Sequence, residues 1–511
     1  MKRATTLLFA AIVLISGAVV AQDGAAPRTL RALGAVGDGK ADDRAAIESG
    51  LTQAAGAPID GEGLTYAVHG NIEVRTDVDF RNATLVQTME PADVSAYIPS
   101  ARGGGQISVE PADALSSMTL GLPWLRADGI ATYDVDPVLG DAELAAVLPG
   151  ILLRTLSIQG EESRPVAVRL SNLVIDRGAN PASGDPGGAA GIEIRHASPL
   201  EIADTEITGD GKGIGLSIVS CSSVRLQRLN IHDMVWAPYA GDDVMEKLSA
   251  DQIRDHFGWN NFPIYEYRTG LKRFVRVRIR EQLVGLRVAN SRDVELIDST
   301  FERIQTRIGD ELYPLQTDAL TLNGGEDIVV RNCHFAKAWE GIDYTGQPGR
   351  GFLIEDCTVT DTIGWGFKIA HDKQEGRFVN CTATRAGIAG FLLADKSVDI
   401  EIANCRALET GANQYWTRAD GSHVMPIAGF FIQGYEGEPT PRQLTLRDCA
   451  AINDENPGAI DYGFLCQADN PEKRQIALID STATGARLDA IKGFASKGDA
   501  TAGERAGGAN E

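Results

Sequence analysis

The chain has 511 residues, 43% of them hydrophobic and 23% charged, and a formal charge of −22 at pH 7. This is globular composition with ample apolar material for a core, which excludes wholesale disorder. The 56 glycines follow no three-residue period, so collagen is excluded; an acidic chain without a clustered Lys/Arg patch also excludes nucleic acid as a partner.

Residues 1–21 read as a secretory signal peptide. Lys2 and Arg3 open it, Leu7 to Val20 is mostly apolar, and Val19 and Ala21 suit the cleavage site. The run is short for a span and no second one of spanning length follows, so the mature chain is expected to be exported, periplasmic or secreted, with no membrane span. Residues 22–160 are expected to hold an N-terminal cap, the first coils and an irregular insertion, the last because 88–160 shows no clean repeat and several Pro/Gly breaks. Near its start, Gly34, Gly37 and Gly39 supply a turn, Asp42 or Asp43 can cap a helix, and Ile47, Leu51 and Ala54 share one helical face. Such a helix would cover the open end of a solenoid.

An internal repeat occupies residues 161–485. Cys333, Cys357, Cys381 and Cys405 recur every 24 residues in the phrases VVRNCHF, LIEDCTV, RFVNCTA and EIANCRA. The phrase returns at Cys449, with serine at Ser299 and Ser481, and more weakly at Thr205, Leu229 and Leu173; Asn or Asp precedes the slot in nine of these ten copies, Arg228 being the exception. A second phrase, Gly–apolar–any–apolar, interleaves with it: GIEI at Gly191, GIGL at Gly213, GLRV at Gly285, ALTL at Ala319, GIDY at Gly341 and GFKI at Gly366, then GFLL, GFFI and GFLC. Both alternate with period two and read as strands, and strand pairs recurring every 22–25 residues signal a β-solenoid. The small residue of the first phrase is expected to point inward as a column of free thiols, since stacked parallel side chains suit van der Waals contact better than disulfide geometry. The Asn/Asp column reads as turn residues, with a ladder as one arrangement open to it. Residues 486–511 read as a tail, disordered at its end.

The phrase LGAVGDGKADDRAAI, with Gly34, Ala35, Gly37, Asp38, Gly39, Asp42, Asp43, Ala46 and Ile47 in place, resembles the opening of the pectate-lyase-like right-handed parallel β-helix superfamily. The resemblance implies an all-β, right-handed parallel β-helix with an N-terminal capping helix and long loop insertions. It speaks to fold far more than to chemistry.

Outward slots of the second phrase concentrate charge in consecutive coils. Arg287, Asp318, Glu340, Asp343 and Lys368 share one face, with Asn323, Trp365 and His371 near by, whereas the same slots turn apolar towards residues 390–465. At about 4.8 Å per coil, the Asp318 and Glu340 carboxyls would lie roughly 5–8 Å apart, and clustered carboxylates can act as an acid–base pair. QTDALTLNGG, residues 316–325, resembles the NTDG segment of family 28 glycoside hydrolases, the polygalacturonase group, which puts Asp318 in the place of a catalytic aspartate. Trp339–Glu340 stands where that family has an aspartate pair and Trp365–Gly366 where it has HG, and no clear RIK follows; Asp343 is available as the missing acid. Interruptions at 233–280, 301–317 and 407–428 carry aromatic residues, among them Trp259 and Trp416, that could stack on sugar rings.

Three readings remain open. The first is an exported glycoside hydrolase resembling the polygalacturonase group, with Asp318, Glu340, Asp343 and Lys368 as catalytic groups, Arg287, Asn323, Trp365, His371, Trp259 and Trp416 binding a polysaccharide, and no cofactor required. The second is a lyase or epimerase acting on a uronate-containing glycan, using Lys368 or Arg287, with calcium held by Asp318, Glu340 and Asp343. The third is a non-catalytic carbohydrate-binding or envelope protein. No Cys/His cluster has zinc spacing, and the expected assembly is a monomer or a homotrimer.

Overall fold

The computed structural model describes residues 28–88, 154–178, 190–210, 213–236, 262–268, 271–277, 283–308, 311–312, 317–496 except 415, 418–420, 424 and 435–440, and 501–502. The signal segment and Trp259 lie outside the described residues.

The chain winds into a solenoid whose coils pair in parallel along three faces. The Gly phrase forms the first sheet, in which Leu286 pairs with Leu216 and Leu320, Leu320 with Ile342, and Phe367 with Ile342 and Phe391. The second sheet carries Val294, Ile328, Phe352, Gly376, Ile400 and Leu444 in register. A third sheet of short strands stacks Phe301, Phe335, Val359, Ala383, Ala407 and Ala451. The cysteine phrase is therefore two strands joined by a corner. Alternation sends Leu, Ile, Val and Phe inward, and Phe367, Phe391, Phe430 and Phe464 stack with centroids 4.8 Å apart, the spacing of hydrogen-bonded strands.

The corner explains the Asn/Asp column. All ten copies place that residue at positive φ, from Asn172 at 52° through Asn380 at 56° to Asp480 at 45°. Asn and Asp tolerate this left-handed conformation best among residues with a Cβ. The side chains also bond from coil to coil: Asn404 Nδ2 donates to Asn380 Oδ1 at 2.7 Å, and Asn380 Nδ2 to Asp356 Oδ1 at 3.0 Å. Arg228, the exception, instead salt-bridges Asp204 on the coil before. All seven cysteines are free and buried. In the recurring slot the side chain donates to the carbonyl two residues back: Cys357 Sγ to Glu355 O (3.2 Å), Ser299 Oγ to Ile297 O (2.8 Å) and Thr205 Oγ1 to Ala203 O (3.0 Å). Cysteine, serine and threonine exchange there because each is small and carries a donor.

Four expectations shift. Gly215, not Gly213, takes the repeat's glycine position, because Ile214 pairs with Ala190 and Val284; Ile214 and Ser217 then fill the outward slots of that coil. A two-residue slip preserves strand alternation, so the pattern could not detect it. Regular pairing is present before residue 161, since Arg154–Gln159 is a strand with Leu156 against Ile192. It also continues past residue 485, through Ala486–Lys492, Ala495–Ser496 and Thr501–Ala502. The helix Arg44–Ala54 forms, burying Ile47 and Leu51, and of the two cap candidates Asp42 Oδ1 accepts from the Arg44 N–H (3.1 Å) whereas Asp43 at the N-cap makes no capping bond. Its carboxylate accepts from the Val36 and Gly37 N–H groups (2.6 and 3.0 Å), tying the glycine turn to the helix instead.

Candidate functional site

The first sheet positions the charged residues. Val284, Asp318 and Glu340 are partners on successive coils, as are Arg287, Thr321, Asp343 and Lys368. Two neighbouring outward columns therefore converge across three coils. The alternation that buries Ile342 and Tyr344 in the core turns Asp343 the other way.

This face is not a solvated flank. Asp318 and Glu340 are 0% exposed and Asp343 1%. One oxygen from each carboxylate lies within 4.8 Å of the others, at the short end of the separation expected above. Lys368 enters from the next coil. Its Nζ donates to Glu340 Oε1 and Oε2 at 3.0 and 3.1 Å and stands 3.4 Å from Asp343 Oδ1. Thr321 Oγ1 donates to Asp318 Oδ2 at 2.9 Å, orienting that carboxylate. The Trp365 ring lies 5.0 Å beneath the ammonium.

Three carboxylates facing one ammonium in a buried site leave an excess of negative charge, and like charges at this separation cannot all ionise without cost. Burial pushes Asp343 above the usual carboxylate value, with Lys368 only partly offsetting it. Burial alone would lower Lys368, but Asp343, Glu340 and Asp318 outweigh it and hold the ammonium above the ordinary lysine value. Lys368 is thus a fixed cation. A neutral-amine base, which the lyase reading asked of it, is not what this environment favours.

The other proposed contacts separate. Asn323 Oδ1 accepts from the Gln347 N–H at 3.0 Å and so braces the turn after Thr345. His371 is exposed at a corner with φ 62°, its N–H bonded to Asp395 at 3.1 Å. Trp365 is buried, and Trp416, proposed as a stacking platform, is only 1% exposed. Trp416 meets Trp339 edge-on at 5.4 Å and donates from Nε1 to Ile363 O at 2.7 Å. Both tryptophans belong to an apolar cluster with Leu392, Phe431 and Tyr462 that covers the outward slots C-terminal to the carboxylates. That arrangement accounts for the change from charged to apolar slots along the chain. Sequence reading passed over Thr321, although it stands in the Arg287–Asp343 column. It also missed the His423–Asp461–Arg487 group, in which the buried Asp461 meets His423 Nδ1 at 2.8 Å and the exposed Arg487, because no spacing links residues so far apart.

Residues 264–465 match the family described as "Right handed beta helix region". Among curated proteins the chain is similar to the capsule K1-specific depolymerase of Klebsiella phage K64-1, 26% identical over 107 residues, which is 20% of this chain. The match spans 12% of that relative's length. Among solved structures it is similar to the surface protein and adhesin PfbA of Streptococcus pneumoniae, with a TM-score of 0.41 and 13% identity over 94% of this chain and 99% of that one. It is also similar to the A-module of the Azotobacter vinelandii mannuronan C-5 epimerase AlgE4, with a TM-score of 0.40 and 11% identity over 93% and 100%. No helix among the described residues is long and apolar enough to cross a membrane. The coil-to-coil parallel register, together with the family match over residues 264–465, gives the chain a right-handed parallel β-helix fold.

Proposed function

We propose that this protein is an exported glycoside hydrolase that cuts a polysaccharide at the Asp318–Glu340–Asp343–Lys368 cluster. The observation that carries the reading is the buried excess of carboxylates over ammonium, which lets one carboxyl keep its proton while a neighbour stays ionised. The depolymerase relative, a phage protein specific for a capsule, supports a carbohydrate substrate.

Asp343 is the acid. Its proton passes to the glycosidic oxygen as the bond from that oxygen to the anomeric carbon breaks. Asp318, oriented by Thr321, attacks the anomeric carbon and forms a glycosyl ester. Water, deprotonated by the now ionised Asp343, displaces Asp318 and releases the sugar. Direct attack is favoured over a water held between the two groups because the carboxylate oxygens lie within 4.8 Å, nearer the roughly 5–5.5 Å of retaining enzymes than the wider gap of inverting ones. Lys368 binds both Glu340 oxygens and keeps that carboxylate neutralised. It also supplies a cation inside the cluster, so the reading assigns no calcium there.

The test is product analysis of the purified mature chain on neutral and uronate polysaccharides. New reducing ends with retained anomeric configuration and no ultraviolet-absorbing unsaturated ends are expected. Asp318→Asn should lower turnover by about 10²–10⁴-fold. Unsaturated ends would mark a lyase, and unimpaired activity in Asp318→Asn would move the site elsewhere.

A further inference from the structure

The outward columns of the first sheet carry polar groups beyond the carboxylate cluster. Ser217 and Arg287 are partners on adjacent coils, and Arg287 is in turn the partner of Thr321, which orients Asp318. Ser217 is 1% exposed, and its Oγ is buried with no hydrogen-bond partner. Arg287 Nε is likewise buried without one, and the guanidinium makes no hydrogen bond or ion pair with any described residue. Several arginines on the other coil faces are paired: Arg225 with Glu295, Arg331 with Glu355 and Arg377 with Glu401. In a chain of charge −22, the half-buried Arg287 guanidinium is left unpaired by the described residues beside a buried, unpartnered hydroxyl. Ser217 Oγ and Arg287 Nε forgo hydration without any return from the protein, while the rest of the half-buried guanidinium stays partly open, which is the condition of a site completed by a ligand.

We propose that Ser217 and Arg287 form a substrate subsite for a sugar bearing an oxyanion, either a carboxylate or a sulfate. The subsite rests on the hydrolase reading above, because it holds the same glycan that is cut at Asp318 and Asp343. The planar guanidinium takes the oxyanion through paired N–H donors, and the serine hydroxyl meets a neighbouring sugar hydroxyl. Arg287 stands two coils from Asp343, so at about 4.8 Å per coil their Cα atoms are roughly 10 Å apart. The glycan therefore runs along the solenoid axis, crossing the strands, with its anionic sugar on the N-terminal side of the cleavage point.

The experiment is calorimetric titration of the full mature chain, in an Asp318→Asn background that prevents turnover. The probes are an oligogalacturonate, a heparin-derived sulfated oligosaccharide and a neutral xylo-oligosaccharide of equal length. One of the two anionic probes is expected to bind in preference to the neutral one, and which of them does so identifies the oxyanion. Arg287→Ala should weaken that binding by tenfold or more, Arg287→Lys should restore part of it, and Ser217→Val should weaken it about fivefold. Circular dichroism and Tm of each variant separate lost folding from lost binding. Anionic affinity unchanged in Arg287→Ala, equal binding of the neutral probe, or binding of none of the three overturns the subsite. Failure of the hydrolase reading looks different: the single Asp318→Asn variant would still cut glycan while Arg287→Ala lost affinity.

Discussion

Lys368 Nζ lies 3.0 Å from Glu340 Oε1 and 3.4 Å from Asp343 Oδ1, so one charge acts on two carboxylates at once. Removing it as Lys368→Met leaves burial unopposed at Asp343, which then holds its proton to still higher pH. If Asp343 is the acid, the alkaline limb of the pH–rate profile should move up by about one unit or more, while turnover falls because Glu340 is left buried and uncompensated. A limb that stays in place would exclude Asp343 from that role. At a corner position the same scale of reasoning gives a stability prediction. Asn380 sits at φ 56° and bonds the coils on both sides through Asp356 and Asn404. Asn380→Ala keeps the strained conformation and loses both bonds, so denaturant unfolding should register a loss of about 2–4 kcal/mol. A loss well below that range would mean the ladder is incidental to the fold.

At the level of elements, the segment after Leu408 is pinned to the first sheet at two points. Trp416 is inserted beside Trp339, the residue before Glu340, and Asp461 is buried against His423, Arg487 and the Ile427 N–H. Burial pushes Asp461 upward, but those three partners outweigh it and hold the carboxyl below its ordinary value. A carboxyl depressed on folding contributes stability that is complete above its unfolded value of about 4 and disappears as pH falls through the lower folded value. Asp461→Asn should therefore cost about 3 kcal/mol near neutrality. The gap in Tm between wild type and variant should close below pH about 4; a constant gap down to strong acid would show that the charge of Asp461 is not what holds the segment.

Over the whole molecule, each coil buries its inner face only against its neighbours, and the phenylalanine stack and the thiol column continue from one coil to the next. Outside, arginine–carboxylate pairs link successive coils, as in Arg377–Glu401 and its continuation to Arg447. Among the described residues the large exposed hydrophobics are Val36 and Leu488, too few for an apolar contact surface. Light scattering separates the monomer from the homotrimer considered above. A monomer of the full sequence should give a mass near 54.5 kDa. A threefold mass would place the contact outside the described residues.

The repeat was legible because both of its causes are local. A left-handed corner selects Asn or Asp at positions such as Asn332 and Asp356, and a cramped slot beside it selects Cys, Ser or Thr. Period-two alternation marks the strands from residue to residue. The grouping of Asp318, Glu340, Asp343 and Lys368 on one face followed from the same register. Its electrostatic character did not, because burial depends on what covers a face. Sequence read the tryptophan of 407–428 as a sugar platform, whereas Trp416 fills an apolar cluster beside the site. The slip at Gly213 has a related cause: a shift of two residues leaves inward and outward unchanged, and only pairing with Ala190 and Val284 reveals it. By itself, then, the sequence determined a coiled parallel β-solenoid with a charged stretch along one column, because each coil repeats the same local requirements. Tertiary structure alone decided that this stretch is buried, that Lys368 is a fixed cation, and that Ser217 and Arg287 stand together unpaired, because those properties arise between coils and vanish in any one of them.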